Sequence, residues 1–409
     1  MSYVVVFVVS GLLNPVLASG PNAMEFNPAQ LAYPERTGMA CRILGVAGEV
    51  WNNSFSMAQY KRYNGAFLDE RAKAEIVGSI PPTGFRAAGR FDARAVEFGY
   101  GCLAASIRTT GTGGLTLPKD VFELVLYGNE LGRTYRAEPL NAEAQVLLQA
   151  GVAGATAVGR ALTVGAAVRY LRGTFCAELT EGSGYFLTTP EALIADGQVA
   201  YHTATGGSGW AFDAGATCQL GEWRISVAAL DLSPGIRWCE GVEEWRLVFA
   251  LDSVNAYQLV RGGGARADFG RQPRDGFTTY TPVQVNLGLG RRFGERANGC
   301  ITIRSLTRLQ PEARLSTTVR PAVAAELWPT HWLGTGAGLS YEHGRGVGLE
   351  ISWTAVWRHL RLEAGLEDIA GPVMRARGAA ARLSLYYTGL PAGTRTRRSD
   401  ILRLVPGVN

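Results

Sequence analysis

The chain has 409 residues, 52 of them glycine, with 18% charged residues and a formal net charge of +5. Soluble domains carry about 25% charged residues and about 7% glycine, so this chain is poor in charge and rich in glycine. Its hydrophobic fraction of 47% excludes a disordered chain. A helical membrane protein is excluded because a spanning helix needs about 20 consecutive apolar residues, and only Val4–Leu13 approaches such a run. Soluble domains or one large closed β-architecture remain.

Residues 1–18 have the pattern of a secretory signal peptide. The apolar stretch Val4–Leu13 is followed by Asn14-Pro15, which would break a helix, and by small residues up to Ala18. The segment lacks a basic start, because the first Lys or Arg is Arg36, so a first hydrophobic strand is the alternative. We expect cleavage after Ala18 and export of the chain.

Two segments of the N-terminal third have helical composition. Residues 68–80 carry acidic residues early and precede Pro81-Pro82, and residues 117–131 have Pro118 at a plausible first turn. We expect both to be short helical inserts between early strands, either plugging a lumen or lying at its rim. Residues 252–281 show little periodicity and are predicted to form a long loop.

Apolar and polar residues alternate along many runs of the C-terminal two-thirds. In residues 283–289 the odd positions are Val or Leu and the even ones are Gln284, Asn286 and a glycine, and in residues 349–357 apolar residues alternate with Glu350, Ser352 and Thr354. The runs have about the length of a tilted membrane-spanning strand. We count about 14 strands, with 14–16 as the range.

This alternation fits either a soluble β-sandwich or a membrane barrel, which place their apolar faces on opposite sides. Two features favour the barrel. The polar faces consist mainly of small residues with few charges, and aromatic residues such as Tyr170, Trp210 and Trp357 lie near the ends of strands. We therefore predict an all-β fold, a transmembrane antiparallel β-barrel formed by residues 19–390, with residues 391–409 as a basic C-terminal tail.

Three segments resemble the FadL/PorV-type superfamily of outer-membrane barrels. The first is Asn27-Pro28-Ala29, just after the expected cleavage site, and the others are Tyr63–Gly84 and Ala211–Trp238, with Asp213-Ala214-Gly215-Ala216-Thr217 in the last. The likeness is to a little-characterised bacterial barrel family of this group, and it extends over most of residues 20–390. The resemblance implies an N-terminal plug beginning at Asn27, Pro28 and Ala29, a plugged or narrow lumen, and a role with hydrophobic ligands or in envelope trafficking.

One departure concerns the end of the barrel. Many outer-membrane barrels end in an aromatic residue on the last strand, which the outer-membrane assembly machinery recognises. In this chain the aromatic pair Tyr386-Tyr387 is followed by a further tail. Either the tail is periplasmic, or the last strand is not the assembly signal.

The candidate functional residues are the polar groups predicted to face the lumen. A charged residue facing lipid at the midplane would cost about 2–4 kcal/mol, so these side chains are expected to point inward and to line a passage or hold the plug. They are Asp213, Arg224, Gln284, Asn286, Glu350 and Arg382.

Catalytic, metal and nucleic-acid sites have little support in the sequence. The four histidines show no zinc-binding spacing, the six cysteines include no CxxC, and the glycine-rich segments precede no helix. The basic residues are scattered, so no nucleic-acid-binding stripe is visible. We expect no enzyme activity, no cofactor and no bound metal.

The sequence therefore predicts a monomeric protein embedded in outer-membrane lipid. Its expected role is to handle or transport small hydrophobic molecules, such as fatty acids, across the outer membrane of a Gram-negative-type bacterium. The alternatives are an envelope component without a transport role, such as a secretion or surface-assembly scaffold, and a secreted soluble all-β binding or adhesion protein.

Overall fold

A computed structural model describes residues 16, 22–32, 39–254, 265–294, 296–309, 315–343, 345–357, 359–367 and 377–388. The expected signal peptide, apart from Val16, and the expected tail 391–409 lie outside these described residues.

The described residues form four short helices and twenty strands. The helices are α1 (Ala23–Phe26), α2 (Met57–Tyr63), α3 (Glu70–Ser79) and α4 (Lys119–Tyr127), and a 3₁₀ helix spans Pro28–Ala32. The strands are β1 (Met39–Asn52), β2 (Phe85–Tyr100), β3 (Leu103–Leu117), β4 (Thr134–Arg136), β5 (Asn141–Val158), β6 (Leu162–Thr188), β7 (Leu193–Ala204), β8 (Gly206–Leu220), β9 (Trp223–Leu232), β10 (Ile236–Glu240), β11 (Glu243–Val254), β12 (Ala265–Pro273), β13 (Phe277–Thr279), β14 (Val283–Phe293), β15 (Ala297–Leu309), β16 (Leu315–Leu327), β17 (Leu333–Glu342), β18 (Gly346–Trp357), β19 (Leu360–Glu367) and β20 (Gly378–Thr388).

A closed ring of antiparallel strands forms the barrel. Fourteen of the strands in the described residues pair in the order β1, β2, β3, β5, β6, β8, β9, β14, β15, β16, β17, β18, β19, β20 and back to β1. The last pairing closes the ring, with Ala40 opposite Thr388 and Trp51 opposite Gly378. The prediction of a barrel of about 14 strands is confirmed.

The outer and inner faces of the wall follow the predicted alternation. On β5, Leu148 is 40% and Val152 is 57% exposed on the outside, whereas Gln149 between them is 7% exposed and faces the lumen. On β8, Phe212 is exposed and its neighbour Asp213 is buried. A sandwich would bury these apolar residues, so the soluble β-sandwich interpretation is wrong. Apolar outward and polar inward faces are the arrangement of membrane barrels.

The two ends of the barrel differ in how the strands are joined. At one end, here the short-turn end, tight turns connect neighbouring strands, such as the turn at residues 101–102 between β2 and β3 and that at 221–222 between β8 and β9. At the other, the long-loop end, α2 and α3 lie between β1 and β2, and α4 lies between β3 and β4. Short turns at one end and long loops at the other are typical of outer-membrane barrels.

Helices α2, α3 and α4 lie at the long-loop end of the barrel rather than inside it. Asp69 caps α3 by accepting a 2.7 Å hydrogen bond from the Ala72 N–H, and α3 falls within the segment 68–80. Helix α4 falls within 117–131, and Phe122 packs on Phe85 at the start of β2 with ring centroids 5.4 Å apart. No helix in the described part of the chain is long and apolar enough to cross a membrane.

One part of the wall continues beyond the ring. The second half of β6, from Cys176, leaves β8 and pairs with β7, which pairs with β11, which pairs with β12. We call β7, β11, β12 and Cys176–Thr188 of β6 the extension sheet. The prediction of one long loop over residues 252–281 is wrong, because β12 and β13 lie within it. The segment ARADFGRQP of β12 lacks an alternating pattern, because an edge strand with exposed residues on both faces needs none.

Candidate functional site

The lumen of the barrel holds an N-terminal plug made of residues 22–32. The Asn27 amide nitrogen lies 2.8 Å from Ser226 Oγ and 3.1 Å from Thr217 Oγ1 on the wall, and within 3.0 Å of two wall carbonyl oxygens. Its oxygen accepts a 2.9 Å hydrogen bond from the Ala29 N–H, which holds the start of the 3₁₀ helix. Asn27, Pro28 and Ala29 thus occupy the lumen and are buried.

Small residues in the barrel wall leave space for the plug in the lumen. A Cβ atom at Gly165 of β6 would lie 2.5 Å from the backbone of Pro28 and Ala29, so this position admits only glycine while the plug is in place. The apolar side of the plug packs on alanines of β3, β5 and β6; the residues of this cluster are Ala23, Met24, Leu31, Ala104, Ala153 and Ala167.

Charged residues anchor the opposite side of the plug to the seam of the barrel. Glu25 Oε1 lies 2.9 Å from Arg42 Nη2 of β1 and also contacts Arg94 of β2. Arg42 Nη1 lies 2.6 Å from Glu97 Oε2, and its Nε donates a 2.9 Å hydrogen bond to the Tyr386 hydroxyl of β20. Glu25 therefore contacts β1 and β2 directly, and Arg42 extends this network to the last strand, β20.

A second charged layer lies nearer the long-loop end. Arg169 Nη2 lies 2.5 Å from Asp213 Oδ1 and 2.9 Å from Asp231 Oδ1, and Arg169 Nη1 donates a 3.0 Å hydrogen bond to Gln149 Oε1. Arg108 donates to the same Gln149 oxygen at 2.9 Å. Because each charge here has a partner, burial of the group is tolerated.

Five of the six residues predicted to line the lumen lie in three separate places. Asp213 belongs to the layer around Arg169. Gln284 donates a 2.8 Å hydrogen bond to Asn286, and Asn286 donates a 3.0 Å bond to the carbonyl of Phe26 in the plug. Glu350 and Arg382 form an ion pair of 3.2 Å elsewhere on the wall.

Arg224 is the sixth of these residues. Its Nε donates a 3.0 Å hydrogen bond to Gln219 Oε1, and its Nη1 donates a 3.3 Å bond to the Val16 carbonyl, so the arginine lies at the short-turn end of the plug layer. Val16 lies within the expected signal peptide, and cleavage after Ala18 would remove this second contact.

Sequence reasoning missed an apolar layer above the charged one. Its residues are Leu147, Leu171, Cys176, Ala204, Ala211, Ile236, Trp238 and Val242, with Phe277 packed against them. Trp238 of β10 is 0% exposed and its Nε1–H donates a 2.9 Å hydrogen bond to Thr279 Oγ1. The available signal was the pair of glycines, Gly173 and Gly207, that adjoin in β6 and β8.

The order of these layers along the barrel axis follows from the register of strands β6 and β8. Along β6 the inward positions run from Leu171 through Arg169 to Gly165 as the strand approaches the short-turn end, and Ala211 and Asp213 repeat the first two steps on β8. From the long-loop end, the lumen therefore contains an apolar layer, a charged layer and the plug. Among the described residues no group of three or more His, Cys, Asp or Glu side chains is placed to hold a metal ion.

Comparison with known proteins gives a fold but no established activity. Residues 45–206 match a protein family described as a family of unknown function (DUF5723). No curated protein matches the sequence. Among solved structures, the chain is similar to the Ralstonia pickettii toluene transporter TbuX, with 15% identity and a TM-score of 0.52 over 94% of this chain and 99% of that one.

Two other solved structures match with lower TM-scores. They are the Pseudomonas putida toluene transporter TodX, with 12% identity, a TM-score of 0.45 and coverage of 91% of this chain and 94% of that one, and a Pseudomonas aeruginosa FadL homologue, with 12% identity, a TM-score of 0.47 and coverage of 91% and 95%. The likeness to TbuX shows a shared fold. The resemblance to FadL-type outer-membrane barrels is thereby confirmed at the level of the fold.

Proposed function

We propose that this chain is an integral outer-membrane protein that takes up small hydrophobic molecules through its barrel. One observation carries the proposal: the long-loop end of the lumen holds an enclosed apolar layer around Leu171 and Trp238, inside a barrel whose fold matches that of a toluene transporter. Charged and polar side chains would suffice to close a lumen, so we take the apolar layer at one end as a surface for apolar molecules. Fatty acids and small hydrocarbons are the candidate molecules.

The rim above this layer offers an apolar surface that a hydrophobic molecule would meet first. Phe67 before α3 is 96% exposed, Val125 of α4 is 77% exposed and Leu131 after α4 is 69% exposed. Contiguous exposed apolar surface marks binding sites for apolar partners or ligands, and we propose that these side chains at the long-loop end contribute to one. Long loops face the cell exterior in outer-membrane barrels, so we place the long-loop end outside the cell, where capture at the rim would precede movement into the apolar layer.

Passage beyond the apolar layer requires a rearrangement of the lumen. The layer around Arg169 and the plug around Asn27 block the direct path to the short-turn end. The lumen is therefore a gated route rather than an open pore. Glu25, Asn27 and Asn286 hold the plug and are positioning residues in this scheme.

Uptake by cells tests the proposal. The measurement is the rate of [¹⁴C]toluene accumulation in Gram-negative host cells that produce the full chain, compared with cells carrying the empty vector. Membrane extraction and heat-modifiable migration on a gel show that the barrel has been inserted. We expect accumulation several-fold faster with the chain, and equal rates despite correct insertion contradict the proposal.

A scaffold role in the envelope is the second candidate, and the extension sheet favours it. This sheet projects beyond the barrel and ends at β12, whose outer edge has no pairing strand among the described residues. Removal of residues 241–276 would join the end of β10 at Glu240 directly to the start of β13 at Phe277, so the sharper test only shortens β11 and β12. Unchanged toluene uptake with an intact envelope in that variant favours transport through the barrel, and an envelope defect in that variant favours the scaffold role.

We also propose export through a cleaved signal peptide, insertion by the outer-membrane assembly machinery and a monomeric barrel. Intact mass spectrometry of the protein extracted from membranes checks the first step. A mature chain that begins at Ser19 is expected, and retention of residues 1–18 contradicts it.

A further inference from the structure

The indole of Trp238 fills a narrow space between the barrel wall and a loop strand. A Cβ atom at Gly173 of β6 would collide with the Trp238 ring, and one at Gly207 of β8 would lie 2.9 Å from ring atom Cε3. On the other side, the Phe277 ring is stacked at 22° with its centroid 6.3 Å from that of Trp238. The indole therefore lies between two glycine positions and one aromatic ring.

The strand that carries Trp238 is not part of the closed ring. β10 has five residues and pairs with the first residues of β8 and with the three residues of β13. Gly235 precedes it with φ +117° and Gly241 follows it with φ +56°. Two glycines in backbone conformations that other residues rarely adopt bound this short strand, and its pairs with β8 and β13 are the backbone contacts that hold it in place.

The surroundings of the indole have the composition of a ligand pocket. Leu147, Leu171 and Ala211 supply apolar walls, and the Thr279 hydroxyl is the polar group that the indole N–H reaches. Binding sites for small molecules are mostly apolar with a few placed polar groups.

The shape of the space limits what it accepts. On the side of the barrel wall the space is bounded by Gly173 and Gly207, which have no side chain. On the other side it is bounded by the Phe277 ring. A flat molecule therefore fits this space, whereas a puckered ring of the same carbon number would meet Phe277. The Arg169 layer closes the bottom of the space with charge. We propose that this Trp238 slot, formed by Gly173, Gly207, Leu171, Ala211 and Phe277, binds planar aromatic molecules, and that the Trp238 side chain occupies it until a ligand displaces the indole.

This inference rests on the proposed uptake of hydrophobic molecules and names their class and a specificity-determining residue. Displacement costs the hydrogen bond from Trp238 Nε1 to Thr279 and the stacking on Phe277. The wild-type chain therefore binds ligand only in the fraction of molecules whose indole has left, which weakens the apparent affinity by that fraction. Removal of the indole removes this competition, as an apolar cavity in a protein core takes up aromatic molecules.

Equilibrium dialysis of the full chain in detergent tests the slot, with naphthalene and its saturated, puckered counterpart decalin as probes. We expect Trp238→Ala to bind naphthalene at least about tenfold more tightly than wild type, with a clear preference over decalin. Trp245→Ala is the matched control, because Trp245 lies on the extension sheet outside the lumen, and it should behave as wild type. Equal binding of the two probes, or equal affinity of Trp238→Ala and wild type, overturns the proposal.

Truncation of a buried tryptophan can prevent folding, so a second measurement uses the unaltered chain. Photolabelling of wild-type protein with an azidonaphthalene, followed by peptide mapping, should mark residues 171–176, 204–211 and 236–240. Labelling confined to lipid-facing positions overturns the proposal. A labelled slot without toluene uptake in cells means that the transport proposal alone is wrong, and uptake without a labelled slot means that the slot alone is wrong.

Discussion

Glu25 of the plug and Arg42 of the first barrel strand form an ion pair of 2.9 Å in which both side chains are at most 2% exposed. A buried charge without a partner is strongly destabilising, so each of these residues requires the other to remain where it is. The plug is thus tied to the seam of the barrel by charge at one side and by the Asn27 amide at the other. This arrangement makes the plug's position sensitive to single substitutions.

Glu25→Gln should loosen the plug. The substitution leaves Arg94 and Arg42 with fewer carboxylates, although Arg42 keeps Glu97 at 2.6 Å. We expect a loss of about 3 kcal/mol in the free energy of unfolding, at the low end for a broken buried pair. The temperature at which the folded band disappears in heat-modifiable electrophoresis measures the effect, and conductance in planar bilayers should rise.

Glu70→Gln is the control for this substitution. It removes the same charge from the pair of Glu70 with Lys73, which is 2.8 Å long but solvent-exposed on α3. Exposed pairs contribute about 0–1 kcal/mol. If the two variants melted alike, the buried pair would have no special role in holding the plug.

Gly165→Val tests whether the plug needs the glycine in the wall. A side chain at this position meets the backbone of Pro28 and Ala29, which cannot shift as a flexible side chain would. We expect the plug to be displaced, with a loss of about 1–3 kcal/mol from overpacking, and with new protease cleavage within residues 22–32. Gly48→Val, where a Cβ meets nothing within 4 Å, should leave the cleavage pattern unchanged. Equal protection in both variants contradicts the prediction.

The orientation of the wall predicts different outcomes for two arginine substitutions on β15. Ile303 is exposed on the outer face, and Ile303→Arg places a charge in lipid at a cost of about 2–4 kcal/mol. Asn298 lies on the lumen side, 3.1 Å from Glu326 Oε2, so Asn298→Arg gains a partner for its charge. Membrane insertion, measured as the heat-modifiable fraction, should fall for Ile303→Arg and persist for Asn298→Arg. Comparable insertion would place both residues in similar surroundings and contradict the assigned faces.

The alternation of apolar and polar side chains in the sequence was enough to predict most of the fold. Because successive residues of a strand face opposite sides, the pattern around Gln284 and Val285 predicted the barrel and its inner face. The same pattern cannot say which inward residues meet across the lumen. Asp213 pairs with Arg169, and Glu350 pairs with Arg382, but these contacts depend on the closed ring and on strand register.

The alternation of side chains could not predict the apolar layer or the extension sheet. Trp238 reaches Gly173 only because a loop strand folds back into the lumen, and its hydrogen-bond partner Thr279 is far along the chain. β12 is an edge strand outside the apolar band, so no burial imposes alternation on it. Both features depend on long-range pairing of short strands, which local composition does not encode.

The stability of the extension sheet should depend on pH through His202. This residue of β7 is buried beside Glu244, Arg274 and the ring of Phe277, with Glu178 opposite on β6. Burial lowers the pKa of His202 and the Arg274 charge lowers it further, while Glu244 at 3.4 Å opposes the shift. The folded sheet therefore binds fewer protons than the opened one, whose histidine has a pKa of about 6.5.

This difference in bound protons determines how the stability of the extension sheet changes with pH. Stability from a neutral buried His202 is present above a pH of about 6.5 and is lost as the pH falls through the lowered pKa in the folded state. We expect faster hydrogen–deuterium exchange of the paired backbone amides of residues 195–203 and 243–250 at pH 5.5 than at pH 7.5, after correction for intrinsic rates. His202→Gln should remove this difference, because its side chain does not titrate. His331→Gln, which alters an exposed histidine at the short-turn end, should retain it. Exchange that is independent of pH in the wild-type chain would mean that His202 does not couple protonation to the pairing of β7 and β11.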